Sequence, residues 1–289
     1  MLSYQHIFHA GNHADILKHF VLFQVLNSLN KKEKPYTFFD THSGSGLYDL
    51  LDSRSLKTGE AGKGIIQLLT STKNDEKTFG SELFSQFLSF IESYTSKNLY
   101  PGSPEIERKF MRPQDFLILS ELHPQEIENL KKNIYEEENS PKIKIHRRNG
   151  WEMLNALTPP ATKRGAVLID PSYEETADYI DAAHTICSVH KKWSNGIIML
   201  WYPLLVHRES DIEGMLNEIC SFAKSQNQNI EICDFRLCAY SKEEKNLPRL
   251  YGSGMLVLNS PWKLKEDTEG LLEYIKNGIS SQFQTEKTF

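Results

Sequence analysis

The chain has 289 residues, 39% of them apolar and 25% charged, with 15 Phe and 12 Tyr. This is long for one minimal domain and short for two ample ones, so one enlarged domain is expected, and disorder is excluded over most of the length. Against 38 acidic residues stand 33 basic ones, a formal charge of −5, which excludes a globally basic nucleic-acid coat and leaves any RNA or DNA contact to a local patch.

No apolar run approaches the ~18 residues of a membrane span. The opening stretch MLSYQHIFHAGNHAD has no basic start followed by an apolar run, as a signal peptide would. The protein is expected in the cytoplasm. Cys187, Cys220, Cys233 and Cys238 form no C-x-x-C pair and read as reduced thiols in apolar or amphipathic segments.

In chain order, Ala14–Asn30 predicts an amphipathic helix, with Leu17, Val21 and Val25 spaced at four. Tyr36–Phe39 is a β-prone run ending at Asp40. Further strands are predicted at Phe116–Ser120, Ile143–His146, Ala166–Ile169, Gly196–Tyr202, Ile230–Phe235 and Met255–Leu258. Helical patterns at Gln125–Glu138, Trp151–Leu157, Glu174–Lys192 and Asp211–Ser225 separate most of them. Strand and helix in alternation argue for a mostly parallel sheet covered on both faces. The interval from Gly46 to Glu121 is more than twice the ~30 residues that one crossover and strand require. Helical patterns at Gly62–Leu69 and Ser81–Tyr94, joined by the polar stretch Ser71–Lys77, fill it. Residues 51–99 therefore read as a small helical insertion within a single domain spanning 1–289. Only the tail, Ser280–Phe289, looks loose.

Three acidic residues stand at predicted strand ends. Asp40 leads into Thr41-His42-Ser43-Gly44-Ser45-Gly46, where glycines let backbone approach a ligand at the sheet's carboxyl edge. A tight turn without a ligand would look the same, and Asp49 stands where a dinucleotide fingerprint needs its third glycine. Glu121, in Glu121-Leu122-His123-Pro124, is placed either to hold both hydroxyls of a ribose or to serve as a helix-start carboxylate. Asp170 begins Asp170-Pro171-Ser172-Tyr173, the sharpest feature of the chain. Proline biases Asp170 towards extended backbone. An exocyclic adenine amine is a poor nucleophile because its lone pair is delocalised into the ring. Two acceptors on its N–H bonds, the Asp170 carboxylate and the Pro171 carbonyl, favour a tetrahedral nitrogen and free that pair. The Tyr173 ring offers a face for the base, worth ~1–3 kcal/mol in stacking. A strand-ending turn with a packing tyrosine is the alternative.

Tyr4, His6, His9, His13, Asp15, Lys18 and His19 crowd ahead of the glycine turn. Pairs at i, i+4 suggest a metal, but Lys18 would put a cation among the ligands, so a polar cluster beside cofactor or substrate is the preferred reading and no metal is expected.

Glycine turn, ribose-type acid and Asp-Pro-x-Tyr on alternating strands resemble the S-adenosylmethionine-dependent amino-methyltransferases. The opening Met1-Leu2-Ser3-Tyr4, with His9-Ala10-Gly11-Asn12-His13-Ala14-Asp15 and Leu17-Lys18-His19, is similar to that of the RlmJ family of bacterial 23S ribosomal RNA adenine-N6 methyltransferases. So are Asp40-Thr41-His42, Tyr100-Pro101-Gly102-Ser103-Pro104, Glu121-Leu122-His123-Pro124, Leu200-Trp201-Tyr202-Pro203, Ser253-Gly254-Met255 and Pro261-Trp262-Lys263, so that the likeness runs from residue 1 to about 265. It implies an α/β, Rossmann-like class I methyltransferase sheet, mostly parallel with a last antiparallel strand and a small helical insertion. It also implies S-adenosylmethionine as cofactor, S-adenosylhomocysteine as product and 23S ribosomal RNA as partner, with no metal, no membrane and no obligate protein partner, the chain acting as a monomer. Lys18, His19, His42, Ser103, Glu121, Asn149, Gly150 and Asp170 fall on the family's cofactor positions, Glu121 on the ribose and Asn149 on the adenine amine or ring. Asp170 falls also on its catalytic position, and Tyr4 on one that meets RNA.

Two positions depart from the family pattern. Ser172 replaces the second proline of Asp-Pro-Pro-Tyr, so the loop loses a fixed φ and gains an N–H. Asn149 stands where Asp is usual, keeping an acceptor and adding donors. Rival readings are a DNA adenine or protein glutamine amino-methyltransferase, an RNA-binding homologue whose catalysis Ser172 has weakened, and a metalloenzyme built on the His cluster.

Overall fold

The long first helix, α1 (His13–Asn30), is capped by Asn12, whose side chain accepts from the Asp15 N–H at 3.0 Å. It is buried on nearly every side rather than along one stripe. The sequence reading as an amphipathic helix is thus corrected: α1 packs between the sheet and the helices α5 (Glu82–Thr95), α6 (Ser103–Phe110) and α11 (Leu264–Tyr274). The computed structural model describes residues 4–74, 82–240, 250–276 and 284–288.

Among the described residues eight strands form the main sheet: β1 (Thr37–Asp40), β4 (Phe116–Ser120), β5 (Lys142–His146), β6 (Gly165–Ile169), β7 (Ile197–Leu205), β8 (Ile232–Cys238), β9 (Leu250–Leu258) and β10 (Gln284–Thr288). Their order is β10-β8-β9-β7-β6-β1-β4-β5. From β5 to β7 every pairing is parallel. β9 runs antiparallel between β7 and β8, and β10 pairs antiparallel with β8. The last antiparallel strand that the resemblance implies is matched by β9, and β10 runs in the same reversed direction at the sheet edge. The tail read as loose contributes an edge strand over 284–288, while 280–283 and 289 lie outside the described residues. The direction of strand addition reverses at β1, with β4 on one side and β6 on the other, which opens a crevice at their carboxyl ends.

One apolar cluster lies on the face holding α1, α5, α6, α11 and α7 (Pro124–Asn133). The other lies beneath α8 (Gly150–Leu157), α9 (Ala177–Lys192) and α10 (Glu209–Gln226). Between Leu51 and Leu99 come α2 (Ser53–Thr58), α3 (Glu60–Lys63), α4 (Ile65–Asn74) and α5. The small antiparallel pair β2 (Leu47–Asp49) and β3 (Leu99–Pro101) closes this segment at its base, Tyr48 opposite Tyr100. Of the polar stretch Ser71–Lys77, residues 71–74 complete α4 and 75–77 lie outside the described residues. The four cysteines are free, and among the described residues no helix is long and apolar enough to cross a membrane.

Candidate active site

The first wall of the site is the end of β1. Asp40 is fully buried, accepting from the Ser103 hydroxyl at 2.7 Å and from the His42 N–H at 3.1 Å. Burial pushes its pKa up to about 6, against the pull of those two bonds. His42 meets Thr41 Oγ1 at 2.8 Å and lies edge-on to Trp151, and burial lowers its imidazole to about 4, so it is neutral. The turn needs Gly44 and Gly46 at φ of 59° and 73°. The Gly44 N–H donates at 2.8 Å to Glu121, whose other oxygen accepts from the His123 N–H at 2.7 Å. Burial raises the Glu121 pKa above the usual carboxylate value.

The second wall is the start of α8. Asn149 caps this helix, its carboxamide oxygen accepting from the Trp151 and Glu152 N–H groups at 2.9 and 3.2 Å. That acceptor is therefore spent, and only the Nδ2 donors remain for a ligand. An acceptor role towards the adenine amine does not fit, whereas donation to a ring nitrogen does. A Cβ on Gly150 would fall 2.2 Å from the Thr41 carbonyl oxygen, so helix and turn touch backbone to backbone only because residue 150 is glycine.

The third wall is α1. Lys18, buried at 4% exposure, lies 2.6 Å from Asp170 Oδ2 and 2.9 Å from Asp15 Oδ1. Burial alone would lower its pKa, but the two carboxylates hold it above the ordinary lysine value. Asp15 also accepts from the Gly11 N–H at 2.8 Å and meets His6 Nε2 at 2.9 Å. Burial would raise this carboxyl, but His6, Lys18 and His19 hold it well below the usual range. His19 pairs through Nδ1 with the Tyr100 hydroxyl at 2.9 Å, while its buried Nε2 has no hydrogen-bond partner. Burial takes its pKa down to about 3. In the tautomer in which Tyr100 donates to Nδ1, Nε2 is an unused N–H donor.

Tyr4, Lys18, His19, His42, Ser103, Glu121, Asn149, Gly150, Asp170 and Pro171 all line one cavity. A second, more apolar cavity shares Tyr4, His6, Lys18, Asp170 and Ser172 with it and continues along Tyr173, Trp201, Pro203, Leu205 and Leu250. Tyr173 thus borders this second space alone. Its ring is 8% exposed and packs 4.7 Å from Tyr179, and its hydroxyl donates to the Trp201 carbonyl at 2.9 Å. It is a fixed wall, not the open stacking face that the motif suggested. His6 and Asp15 line the cavities without being named as site members from the sequence, and Asp40, fully buried, lines neither but holds Ser103 and His42. Each belongs to a cluster that the sequence did single out, but spacing alone could not tell which members turn inward. Among the described residues no group of three His, Cys, Asp or Glu could hold a metal ion; His9 faces Glu60 instead, at 3.0 Å.

The antiparallel β9 between β7 and β8, with an acid-ended β1, a ribose-type acid after β4 and Asp-Pro-Ser-Tyr after β6, defines a class I methyltransferase. Residues 33–288 match the family described as ribosomal RNA large subunit methyltransferase D, RlmJ. The ribosomal RNA large subunit methyltransferase J of Escherichia coli (strain K12) is 33% identical over 279 residues, 96% of this chain and 94% of that protein. The protein of the same name from Haemophilus influenzae is 34% identical, covering 95% of this chain and 93% of its own. A crystal structure from Legionella pneumophila superposes with a TM-score of 0.81 at 30% identity, covering 96% of this chain and 98% of that one. The chain belongs to the RlmJ family.

Proposed function

We propose that this protein transfers the methyl group of S-adenosylmethionine to the N6 amine of an adenine in 23S ribosomal RNA, as one methyltransferase domain over 1–289 with residues 51–99 a helical insertion in it, acting in the cytoplasm. The observation that carries this reading is that two cavities share Asp170, one ringed by polar groups suited to a nucleoside and an amino acid, the other more apolar and walled by Tyr173, Trp201, Pro203 and Leu205. The names borne by the two relatives support ribosomal RNA as the acceptor.

The residues fit the cofactor. Glu121 keeps lone pairs for ribose hydroxyls beyond its two backbone bonds. Asn149 Nδ2 suits a ring nitrogen, and the orphaned His19 Nε2 suits a carboxylate. When bound, S-adenosylmethionine supplies a methyl carbon made electrophilic by its sulfonium. The protein's own work is on the acceptor. Lys18 occupies Asp170 Oδ2, which fixes the carboxylate and leaves Oδ1 to accept one N–H of the amine, with the Pro171 carbonyl taking the other. Two such acceptors draw the lone pair out of the ring. The surplus proton leaves afterwards, to Asp170 or to water. A target base must be unstacked to reach this depth. No Lewis acid is required at a carbon already activated by positive sulfur, so the reading includes no metal.

The test is transfer of labelled methyl to unmethylated 23S RNA, DNA and glutamine peptides, followed by nucleoside and amino-acid analysis. Label in N6-methyladenosine of RNA, lost by at least a thousandfold in Asp170→Ala (the loss of ~4 kcal/mol of transition-state stabilisation), is expected. Label in DNA or peptide alone would replace the proposed acceptor.

A further inference from the structure

The segment between β2 and β3 has no part in the chemistry derived above, yet it grips the N-terminal residues through polar contacts. Glu60, the first residue of α3, meets His9 Nδ1 at 3.0 and 3.1 Å and accepts from Asn12 Nδ2 at 2.9 Å. The Thr58 hydroxyl donates to the Phe8 carbonyl at 2.5 Å, and the Ile65 N–H to that of Gly11 at 2.8 Å. His9 in turn lies flat on Tyr4, ring centroids 5.7 Å apart and planes 9° from parallel. Tyr4 continues to His6 at 2.9 Å, and from there the contacts run through Asp15 and Lys18 to Asp170. Glu60 itself lines neither cavity.

We propose that Glu60 is a positioning residue for the RNA acceptor: it fixes the His9 ring against Tyr4, so that the Tyr4 side chain is set before RNA arrives, and leaves the cofactor pocket untouched. The inference rests on the reading that Tyr4 meets RNA. Fixing the ring in advance removes an ordering cost from RNA binding. The groups facing His9 are Glu60 from α3, Asp15 from α1 and Tyr4 from its own segment. The hydrogen bond to Glu60 raises its pKa above the ordinary imidazole value, with burial opposing. Glu60 is held below its ordinary value, burial being outweighed by His9 and Asn12. His13, one turn on, stays neutral because burial lowers it to about 4. Protonation of His9, which the Glu60 contact favours, places positive charge where a polyanion has to approach.

The experiment measures KM for RNA, kcat at saturating RNA and Kd for S-adenosylhomocysteine from pH 6 to 9, in the wild type, Glu60→Gln and His9→Phe. In the wild type, KM for RNA rises as His9 deprotonates. Glu60→Gln is expected to move that rise to lower pH and so to raise KM for RNA several-fold at neutral pH, while kcat and Kd stay within twofold. His9→Phe keeps an aromatic partner for Tyr4 and should lose the pH-dependent rise. An unmoved rise in Glu60→Gln, or one that persists in His9→Phe, in an enzyme that does methylate RNA overturns the inference alone. Equal losses in kcat and cofactor affinity also overturn it, by making Glu60 a structural residue. A wild type that methylates no RNA overturns the functional reading and this inference with it.

Discussion

Between Pro171 and the buried ring of Tyr173 sits Ser172, whose N–H and hydroxyl make no hydrogen bond among the described residues. Tyr173 holds φ at 52°, a left-handed conformation that costs a bulky residue on the order of 1–3 kcal/mol. Its hydroxyl bond to Trp201 and its packing on Tyr179 offset that strain. Since Ser172 gives up no bond, Ser172→Pro should keep or raise turnover with RNA by stiffening the loop that carries the Pro171 carbonyl. A large fall in kcat with cofactor affinity unchanged would mean that the loop depends on serine. Asp40 sets a pH dependence on the other side of the pocket. Above about pH 6 it is a carboxylate serving Ser103 and His42; below, protonation removes one acceptor site, so affinity for S-adenosylhomocysteine should weaken as pH falls through about 6. Glu121 contributes in the same direction, since burial raises it also. Ser103→Ala isolates Asp40: the lost bond lets its pKa climb, and the weakening should begin at higher pH, read by calorimetric titration from pH 5 to 8. Folding stability runs oppositely. The folded pKa exceeds the unfolded 3.8, so the Asp40 contribution is complete below about 4 and lost as pH rises through about 6.

Among the elements, α8 links fold to site most directly, because one side chain both caps it and faces the ligand. Asn149→Ala should cost about 1 kcal/mol of stability through the lost cap and should also weaken cofactor binding. Asn149→Asp keeps the cap, adds a charge favourable at a helix start and has a second oxygen to accept the adenine amine. Its denaturation midpoint and its affinity for S-adenosylhomocysteine are both expected to match or exceed the wild type. Lower affinity in Asn149→Asp than in the wild type would show that the Nδ2 donors matter most. The strand and helix alternation was legible because apolar runs such as Ala166–Ile169 are bounded by turns. Other elements were masked by local chemistry. β9 was read only from Met255, since Gly252-Ser253-Gly254 resembles a loop; yet a Cβ at Gly254 would lie 2.1 Å from the Tyr202 ring, so the glycine is there to admit that ring. α7 was read to Glu138, but the chain leaves the helix after Asn133, and Glu137 turns back to Arg108 and Lys109. The helix α6 and strands β2 and β3 were invisible because none carries a periodic apolar run of useful length. Of the site, the motif positions were legible, but the orientation of Asn149 and the burial of Tyr173 depend on tertiary neighbours.

For the molecule as a whole, the pocket lies where the two apolar faces share a seam. Phe38 of β1 belongs to the cluster under α1, and Phe39 to the cluster under α8 and α9, so the residues that follow, Asp40 to Gly46, stand over both. Groups from α1, α6 and α8 reach a single cavity from either side of the sheet. A ligand filling it therefore bridges both faces, and binding should stabilise the chain globally. At one hundred times its Kd, S-adenosylhomocysteine should add ~2.7 kcal/mol. With ~2.1 cal/mol/K of unfolding entropy per residue, that is a rise of about 4 °C in Tm for a chain of this length. Calorimetry on Asp170→Ala should give a similar rise, because Glu121, Asn149 and the glycine turn remain, although the variant transfers no methyl group. Stabilisation without turnover separates holding the cofactor from preparing the amine. If neither protein is stabilised at any concentration of S-adenosylhomocysteine, the polar cavity is not a nucleoside site, and the assignment of Glu121 and Asn149 fails with it.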